Sequence, residues 1–309
     1  MNKVKSDLNT FPLVSFIMPV YNRAAVLERA LEGILREKTL NYPNIEILVI
    51  DGGSTDGTLE ILKRYEDRID FWKSERDKGA ADAFNKGVQI SKGQIIRYVA
   101  SDDEIEIGHT EAMVRHLVEN PDLGMVGALS NEVLVDEKGT AKKLESPNPP
   151  ANRLVEFRDV FHWSKGANFS YIETWFIRRD VFKKIGLLDT RYRICPDLDF
   201  AMRAVKSGVL YQVVPIVIIN KFFYSDNSNL ISDYPRRMAE MSEVLWRHSW
   251  LRPEAWLLLY NFPAPLHSRL VGKGIEIFLS LWISLIKSFK RLIWIIYAAI
   301  QKIKLSIKK

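Results

Sequence analysis

Short apolar runs alternate with helical patterns through the first hundred residues of the chain. The runs are rich in branched and aromatic residues and predict buried strands at Val14–Val20, Ile45–Asp51, Ile69–Glu75 and Gln94–Ala100. Apolar residues spaced three and four apart predict helices between them, at Ala24–Leu35, Thr58–Tyr65 and Ala80–Ser91. We take Asn22 as the N-cap of the first helix. Strands that alternate with helices predict an α/β fold with a mainly parallel sheet, whose ligands gather beyond the carboxyl ends of the strands.

The middle of the chain has a less regular pattern. The proline-rich stretch Ser146–Arg153 predicts an exposed loop at a subdomain boundary. After it we expect a strand at Glu173–Ile177, a helix at Arg179–Ile185 that Gly186 ends, and a helix at Asp197–Gly208. The apolar run from Leu210 to Ile219 predicts a further strand.

Two apolar stretches near the C-terminus, Ile275–Ile286 and Leu292–Ile300, are each too short to span a bilayer. On a helical wheel, the basic residues of this tail fall opposite a broad apolar face that contains Trp294. This pattern is typical of a helix that lies in the plane of a membrane surface. Packing on the protein itself or on a second subunit is an open alternative, because such a helix is amphipathic too.

Composition narrows the function classes. The chain has 309 residues, 47% of them hydrophobic, and can bury a sizeable core. Its single cysteine, Cys195, cannot form an intrachain disulfide, and the chain does not open with a signal-peptide pattern, so we expect a cytoplasmic protein. The basic, amphipathic tail leads us to expect attachment to the inner face of the cell membrane. The five histidines lack zinc-protease spacing, and neither a P-loop nor a Rossmann glycine motif occurs. The tail is too apolar for a solvated nucleic-acid-binding arm, so we expect no nucleic-acid partner.

Acidic residues follow two of the predicted strands. Asp51 comes at the end of one strand, before a Gly-Gly turn, and Asp102 and Asp103 follow another. Carboxylate oxygens suit Mg²⁺ or Mn²⁺, and a divalent cation neutralises a diphosphate. Surface carboxylates without a ligand are the alternative for Asp102 and Asp103. For Asp51 the alternative is an acceptor of hydrogen bonds within its own turn, and it could fill both roles.

An ordered set of segments runs from about Phe11 to Pro215. It consists of VSFIMPVYNRAAVLERALEGI, EILVIDGGSTDGTLEIL, DKGAADAFNKGVQISKG, YVASDD, WFIRRDVFKKIGLLD and CPDLDFAMRAVKSG. In this order the segments resemble the family 2 inverting glycosyltransferases of the GT-A fold. We expect a polar tail over residues 1–10, because MNKVKSDLNT is polar. The resemblance implies a GT-A domain over 11–224, with a nucleotide-binding half over 11–125 and an acceptor half over 126–224. We expect a helical extension over 225–270 and amphipathic membrane-associating helices over 271–309.

The resemblance also implies a role for each candidate residue of the donor site. Asp51 would contact the nucleotide base, Lys78 a phosphate, and Asp82 the donor sugar or ribose. Asp102, with Asp103 as helper or alternative, would hold the Mn²⁺ or Mg²⁺. The remaining donor contacts would come from Pro19, Tyr21, Asn22 and Ser101. The chain departs from the family at Ala100, because the family has an aspartate there that faces the ribose.

Inversion at the anomeric carbon requires one base that removes the proton of the acceptor hydroxyl. By the resemblance, Asp197 is that base and Asp199 is the second candidate. Pro196 stands where the family has another acid. The alternative for both aspartates is a charge that complements the N-terminus of the predicted helix.

Together these features predict an enzyme that moves a sugar from a nucleotide diphosphate sugar to a lipid-linked glycan during surface-polysaccharide assembly. Transfer to polyprenyl phosphate is an alternative. A non-catalytic sugar-nucleotide-binding or scaffold protein is a second alternative, from a different class, because of Ala100 and Pro196. The sequence leaves the donor, the acceptor and the oligomeric state open.

Overall fold

The fold is taken from a computed structural model that describes residues 11–135, 140–144, 153–156, 159–160, 171–224 and 234–249. The chain divides into the units Met1–Leu259 and Tyr260–Lys309, and the described residues all belong to the first. The predicted loop at Ser146–Arg153, except Arg153, and the predicted membrane-associating tail over 271–309 lie outside the described residues.

Strands and helices alternate in the first part of the described chain and become less regular later. The strands are β1 (Val14–Val20), β2 (Ile45–Asp51), β3 (Phe71–Ser74), β4 (Ile95–Tyr98), β5 (Glu104–Ile105), β6 (Leu123–Val135), β7 (Ala141–Leu144), β8 (Phe176–Arg178) and β9 (Leu210–Tyr224). The α-helices are α1 (Leu27–Leu40), α2 (Thr58–Arg64), α3 (Ala80–Ile90), α4 (His109–Glu119), α5 (Arg179–Ile185), α6 (Pro196–Lys206) and α7 (Tyr234–Ser249).

The described strands form one sheet in the order β3-β2-β1-β4-β8-β6-β9-β5, with β7 paired to β6. Strands β3, β2, β1 and β4 are parallel to one another. Strand β8 is antiparallel to both β4 and β6, while β9 is parallel to β6 along most of its length. The expected α/β fold with a mainly parallel sheet is therefore confirmed.

Strand β1 lies in the middle of the parallel part, between β2 and β4. All seven of its residues are buried. A strand covered on both faces by helices needs apolar residues at nearly every position, and this explains why VSFIMPV shows no alternation. The same reasoning applies to β2, in which only Glu46 is partly exposed.

The expected start of the first helix is wrong. Helix α1 begins at Leu27, with Val26 as its N-cap residue. Asn22 has the left-handed backbone angle φ 51°. Its side-chain oxygen accepts the N–H of Thr55 at 2.9 Å, and its own N–H donates to Ser54 Oγ at 2.7 Å. Asn22 therefore joins the loop after β1 to the turn after β2 instead of capping a helix.

The strand expected at Glu173–Ile177 is wrong in its first half. Ile172–Thr174 form a 3₁₀ turn, and β8 begins at Phe176. Helix α5 has the expected bounds, and β9 continues past Ile219 to Tyr224. Within the described part of the chain, no helix is both long enough and apolar enough to cross a membrane.

Candidate functional site

The candidate donor residues lie at the carboxyl edge of the parallel strands. Val20, at the end of β1, is in register with Asp51, at the end of β2. The segment after β4 carries Ser101, Asp102 and Asp103 to the same edge, because β4 is parallel to β1. The edge thus collects the acidic residues of two separate strand ends, as expected for an α/β sheet.

Asp51 is completely buried and accepts hydrogen bonds from its own turn and from β3. Its Oδ2 accepts the N–H of Gly53 at 3.0 Å, the N–H of Ser54 at 2.9 Å and the hydroxyl of Ser74 at 2.6 Å. Its Oδ1 accepts the hydroxyl of Ser54. These bonds give Asp51 the turn-acceptor role that the sequence left open, and a contact with a nucleotide base stays a prediction.

Three other residues expected to contact the donor lie at the end of β1 and in the loop after it. Pro19 is buried in β1 opposite Ile50. Tyr21 is 59% exposed, so its ring is free to pack against a ligand. Asn22 is bonded to the neighbouring turn.

Lys78 lies just before α3, and Asp82 lies in the first turn of that helix. The side chain of Lys78 is exposed, and its N–H donates to Asp82 Oδ2 at 3.1 Å. The same oxygen lies 3.4 Å from Lys86 Nζ. Asp82 is therefore engaged with its own helix, and the donor contacts of Lys78 and Asp82 stay predictions.

The two adjacent aspartates have different environments. The Asp102 side chain is 37% exposed, and its Oδ2 lies 3.7 Å from Arg23 Nε. Asp103 is buried, and among the described residues its Oδ2 has no hydrogen-bond partner. Burial raises the pKa of Asp103 to about 7, with a further contribution from Glu173, while Lys221 opposes the shift. Ser101, which precedes them, is buried.

A buried ion pair, Lys221–Glu173, lies beside Asp103. Strand β9 pairs with β5 so that Asn220 is opposite Glu104. Lys221 and Asp103 are the next residues of the two segments and lie close enough to interact electrostatically. Lys221 Nζ lies 2.8 Å from Glu173 Oε1, and both side chains are mostly buried. Burial alone would lower the pKa of Lys221, but the carboxylates of Glu173 and Asp103 outweigh it and raise the pKa.

Sequence reasoning missed both members of this ion pair. The predicted strand ended at Ile219 because Asn220 and Lys221 are polar. The signal that could have found Lys221 is its position between the apolar runs VVPIVII and FFY, since a lysine inside a strand pattern needs a partner when it is buried.

Asp197 lies in the first turn of α6, as expected, and is partly buried. Its Oδ1 accepts the N–H of Leu198 at 2.9 Å. Burial raises the pKa of Asp197 to about 6, and the nearby charge of Glu173 adds to the shift. Asp197 and Asp103 thus lie within electrostatic reach of the same two residues, Glu173 and Lys221.

Asp199 is held between two helices. Its Oδ2 accepts Arg203 Nε at 2.7 Å, and its Oδ1 lies 2.8 Å from Nε2 of His248 in α7. Burial works to raise the pKa of Asp199, but His248 and Arg203 outweigh it and the pKa is lowered. Because both of its oxygens are occupied, the geometry favours Asp197 over Asp199 as the base.

The described residues contain no group of three or more His, Cys, Asp or Glu side chains that could hold a metal ion. A cation at this edge would therefore rely on Asp102, with Asp103 beside it, and on ligand oxygens from outside the protein. Hard carboxylate oxygens, one of them buried without a partner, fit such an ion chemically.

Comparisons with known proteins agree with the fold. The family model described as Glycosyl transferase family 2 matches residues 15–186, more than half of the chain. A PGL/p-HBAD biosynthesis glycosyltransferase of Mycobacterium bovis is 28% identical over 236 residues, which cover 74% of this chain and 84% of the relative. An uncharacterized glycosyltransferase of Haemophilus influenzae is 28% identical over 221 residues, covering 70% and 83%.

Among solved structures, the chain is similar to TarS of S. aureus. TarS 1–349 in complex with UDP-GlcNAc matches with a TM-score of 0.60 at 17% identity, over 81% of this chain and 71% of that one. Another TarS structure matches with a TM-score of 0.56, and there the chain spans only 42% of the TarS chain. At this identity the likeness establishes a shared fold.

Proposed function

Because the chain belongs to glycosyltransferase family 2, we propose that it is an inverting enzyme that moves a sugar from a nucleotide diphosphate sugar to an acceptor hydroxyl. The observation that carries the proposal is the placement of Asp197, a partly buried carboxylate whose pKa is raised to about 6, within reach of the charged residues beside Asp103. The similarity to TarS in complex with UDP-GlcNAc supports a nucleotide sugar as donor.

In this mechanism Asp197 is the general base. The acceptor oxygen attacks the anomeric carbon, and Asp197 takes up the hydroxyl proton as the new bond forms. The bond between the sugar and the diphosphate breaks on the opposite face, and its electron pair leaves with the diphosphate. A carboxylate with a pKa near 6 is ionised at neutral pH and is a stronger base than an ordinary aspartate.

The leaving diphosphate needs positive charge at the edge of the sheet. Asp102 and Asp103 would hold Mn²⁺ or Mg²⁺, which when bound neutralises the charge that develops on the diphosphate. Arg23 lies beside Asp102 and supplies a further positive charge from the protein itself. Arg29 donates to the backbone oxygen of Asp102 at 2.8 Å and thereby fixes the course of this segment.

For the acceptor we propose a lipid-linked glycan at the inner face of the cell membrane, in the assembly of a surface polysaccharide. Two observations support this choice. The tail over 271–309 has the composition of a membrane-surface helix. One relative is named for PGL/p-HBAD biosynthesis. Flotation of the full chain with vesicles that contain anionic lipid tests the membrane contact, and a chain that stays at the bottom of the gradient removes this support.

A thermal-shift screen of nucleotide diphosphate sugars, each with and without Mn²⁺, tests whether the chain binds such a donor and identifies which one. A donor at a hundred times its Kd stabilises the fold by about 2.7 kcal/mol. For a domain of this size that is a rise in Tm of roughly 5–11 °C. We expect one donor to give such a shift, larger with Mn²⁺, and then to be consumed when acceptor is added. If every donor leaves both Tm and the acceptor unchanged, the proposed function is wrong.

A further inference from the structure

The turn that leads into the helix of Asp197 is held by a carboxylate from another helix. Glu240 lies in the middle of α7 and is buried. Its Oε2 accepts the N–H of Ile194 at 2.7 Å and of Cys195 at 3.2 Å, and its Oε1 accepts the N–H of Arg193 at 3.1 Å. Three consecutive backbone groups thus point at one side chain that lies more than forty residues away in sequence.

The N-cap residue of helix α6 does not cap the helix with its side chain. Cys195 occupies the N-cap position and makes no side-chain hydrogen bond there. Pro196, the first residue of the helix, has no N–H to offer. Backbone N–H groups that are shielded from water need acceptors, and those of residues 193–195 lie just before the helix. Glu240 supplies these acceptors, so the direction in which α6 leaves the turn depends on α7.

A second contact holds α6 against α7. Asp199 is bound by His248, which lies eight residues after Glu240 and therefore about two turns along the same face of α7. Asp197 comes two residues before Asp199, roughly 200° around α6. The face with Asp199 rests on α7, and Asp197 is turned away from it, toward the charges of Glu173 and Lys221.

We propose that Glu240 is a positioning residue for Asp197: its carboxylate fixes the turn before α6 and thereby aims Asp197 at the acceptor hydroxyl. The proposal rests on the proposed function, since it assumes that Asp197 is the base. Glu240 is suited to this role because Arg236 Nε donates to its Oε1 at 3.0 Å. Burial works to raise the pKa of Glu240, but the Ile194 N–H and Arg236 outweigh it and the pKa is lowered, which keeps Glu240 ionised.

The test uses the full chain with Glu240→Ala, Glu240→Gln and, as a matched control, Glu243→Gln. Glu243 lies on the same helix and accepts the hydroxyl of Tyr192 at 3.3 Å. Amide hydrogen exchange first reports whether the N–H groups of residues 193–195 are bound by Glu240, and this measurement does not require activity. In Glu240→Ala we expect the amides of residues 193–195 to exchange on the order of tenfold faster, because they lose an ionised acceptor. The control should exchange like the wild type.

The kinetic arm separates positioning from general damage. In Glu240→Ala we expect kcat for transfer to fall about 100-fold, as for a displacement of about 1 Å at a catalytic group. The Kd and the stoichiometry of donor binding should stay unchanged, because the donor edge belongs to β1, β2 and β4. Glu240→Gln keeps one acceptor oxygen and should recover part of kcat, and it also serves if Glu240→Ala does not fold.

A shift in the pH profile supports the same conclusion. Release of the turn would hydrate Asp197 and move the acid limb of kcat to lower pH, although Glu173 and Lys221 would still face it. If exchange at residues 193–195 is unchanged in Glu240→Ala, Glu240 does not hold the turn before α6. If exchange is faster but kcat stays within twofold of the wild type, Glu240 holds the turn but does not position Asp197. If the wild-type chain transfers no sugar, both the proposed function and the positioning role are wrong. Hydrogen exchange would still show whether Glu240 holds the turn at residues 193–195.

Discussion

Replacing Lys221 with methionine tests whether the charge cluster beside Asp103 is needed to hold the site together. The ammonium lies 2.8 Å from Glu173, and the two side chains are only 18% and 14% exposed. Methionine keeps the unbranched shape but removes the charge. Two carboxylates, Glu173 and Asp103, would then face each other in a poorly hydrated space without the cation between them.

The expected size of the effect follows from this burial. Breaking a buried ion pair by removal of one partner costs about 3–5 kcal/mol, and the remaining exposure of this pair places it near the lower end, at about 3 kcal/mol. A domain of this size loses roughly 2–4 °C in Tm per kcal/mol, so we expect Tm to fall by roughly 6–12 °C at pH 7. Asp103, whose pKa is raised to about 7, takes up a proton as the pH falls and thereby relieves the repulsion, so the loss in Tm should shrink toward pH 5.

The assay is urea and thermal unfolding of the wild type, Lys221→Met and the control Lys183→Met. Lys183 also lies 2.8 Å from its partner, Asp180, but these side chains are 73% and 83% exposed. We expect no measurable change in the control, because water screens an exposed pair. If Lys221→Met is as stable as Lys183→Met, the reasoning from burial is wrong.

Three further results are expected. Transfer should fall about tenfold per pH unit below a pH of about 6, because Asp197 must lose its proton to act as base, and a flat profile between pH 5 and 7 would argue against this residue. Asp102→Asn should abolish the response of activity to Mn²⁺. Its Tm should stay near that of the wild type, because the Asp102 side chain is partly exposed. An unchanged response to Mn²⁺ would show that Asp102 does not hold the metal. Gly93→Ala should cost about 1–3 kcal/mol in unfolding experiments, because its Cβ would clash with Ser15 Oγ and lie 2.7 Å from Ser15 N. Gly33→Ala, whose Cβ would meet nothing closer than 3.6 Å, should not be destabilising, and equal costs for the two would contradict the packing argument.

The sequence predicted the parts of the fold whose burial leaves a local pattern. Strands β1 and β2 were found with their bounds because a strand covered on both faces reads as a continuous apolar run. Helix α5 was found because Gly186 marks its end. The start of α1 was missed because Asn22 has the composition of an N-cap, while its side chain is used across the loop by Thr55.

Strand β6 and the end of β9 after Ile219 were harder to predict, for a physical reason. Strand β6 changes from buried to partly exposed along its thirteen residues, so it shows neither a continuous apolar run nor a clean alternation. In β9, Lys221 interrupts the apolar pattern and is accommodated only because Glu173 approaches it from a different segment. A local pattern carries no information about such a partner.

The residues of the candidate site likewise divide into those that leave a local pattern in the sequence and those that do not. Asp51 and Asp102 are visible in the sequence because one ends a predicted strand and the other follows one, whereas Asp197 was chosen through the family resemblance of its segment. Glu173 and Glu240 carry no such signal, since their importance comes from groups that only the fold brings to them. The residues that surround a site are therefore less visible in the sequence than the residues that would perform its chemistry.

The transfer rate of Asp197→Asn, measured together with its affinity for the donor, tests most directly whether Asp197 is the general base. Asparagine keeps the shape of the side chain and its hydrogen bond to the Leu198 N–H, but it cannot take up a proton at neutral pH. We expect kcat to fall by about 10²–10⁴-fold while the donor Kd stays within about twofold of the wild type. Transfer at the wild-type rate by Asp197→Asn would contradict the assignment of Asp197 as the base.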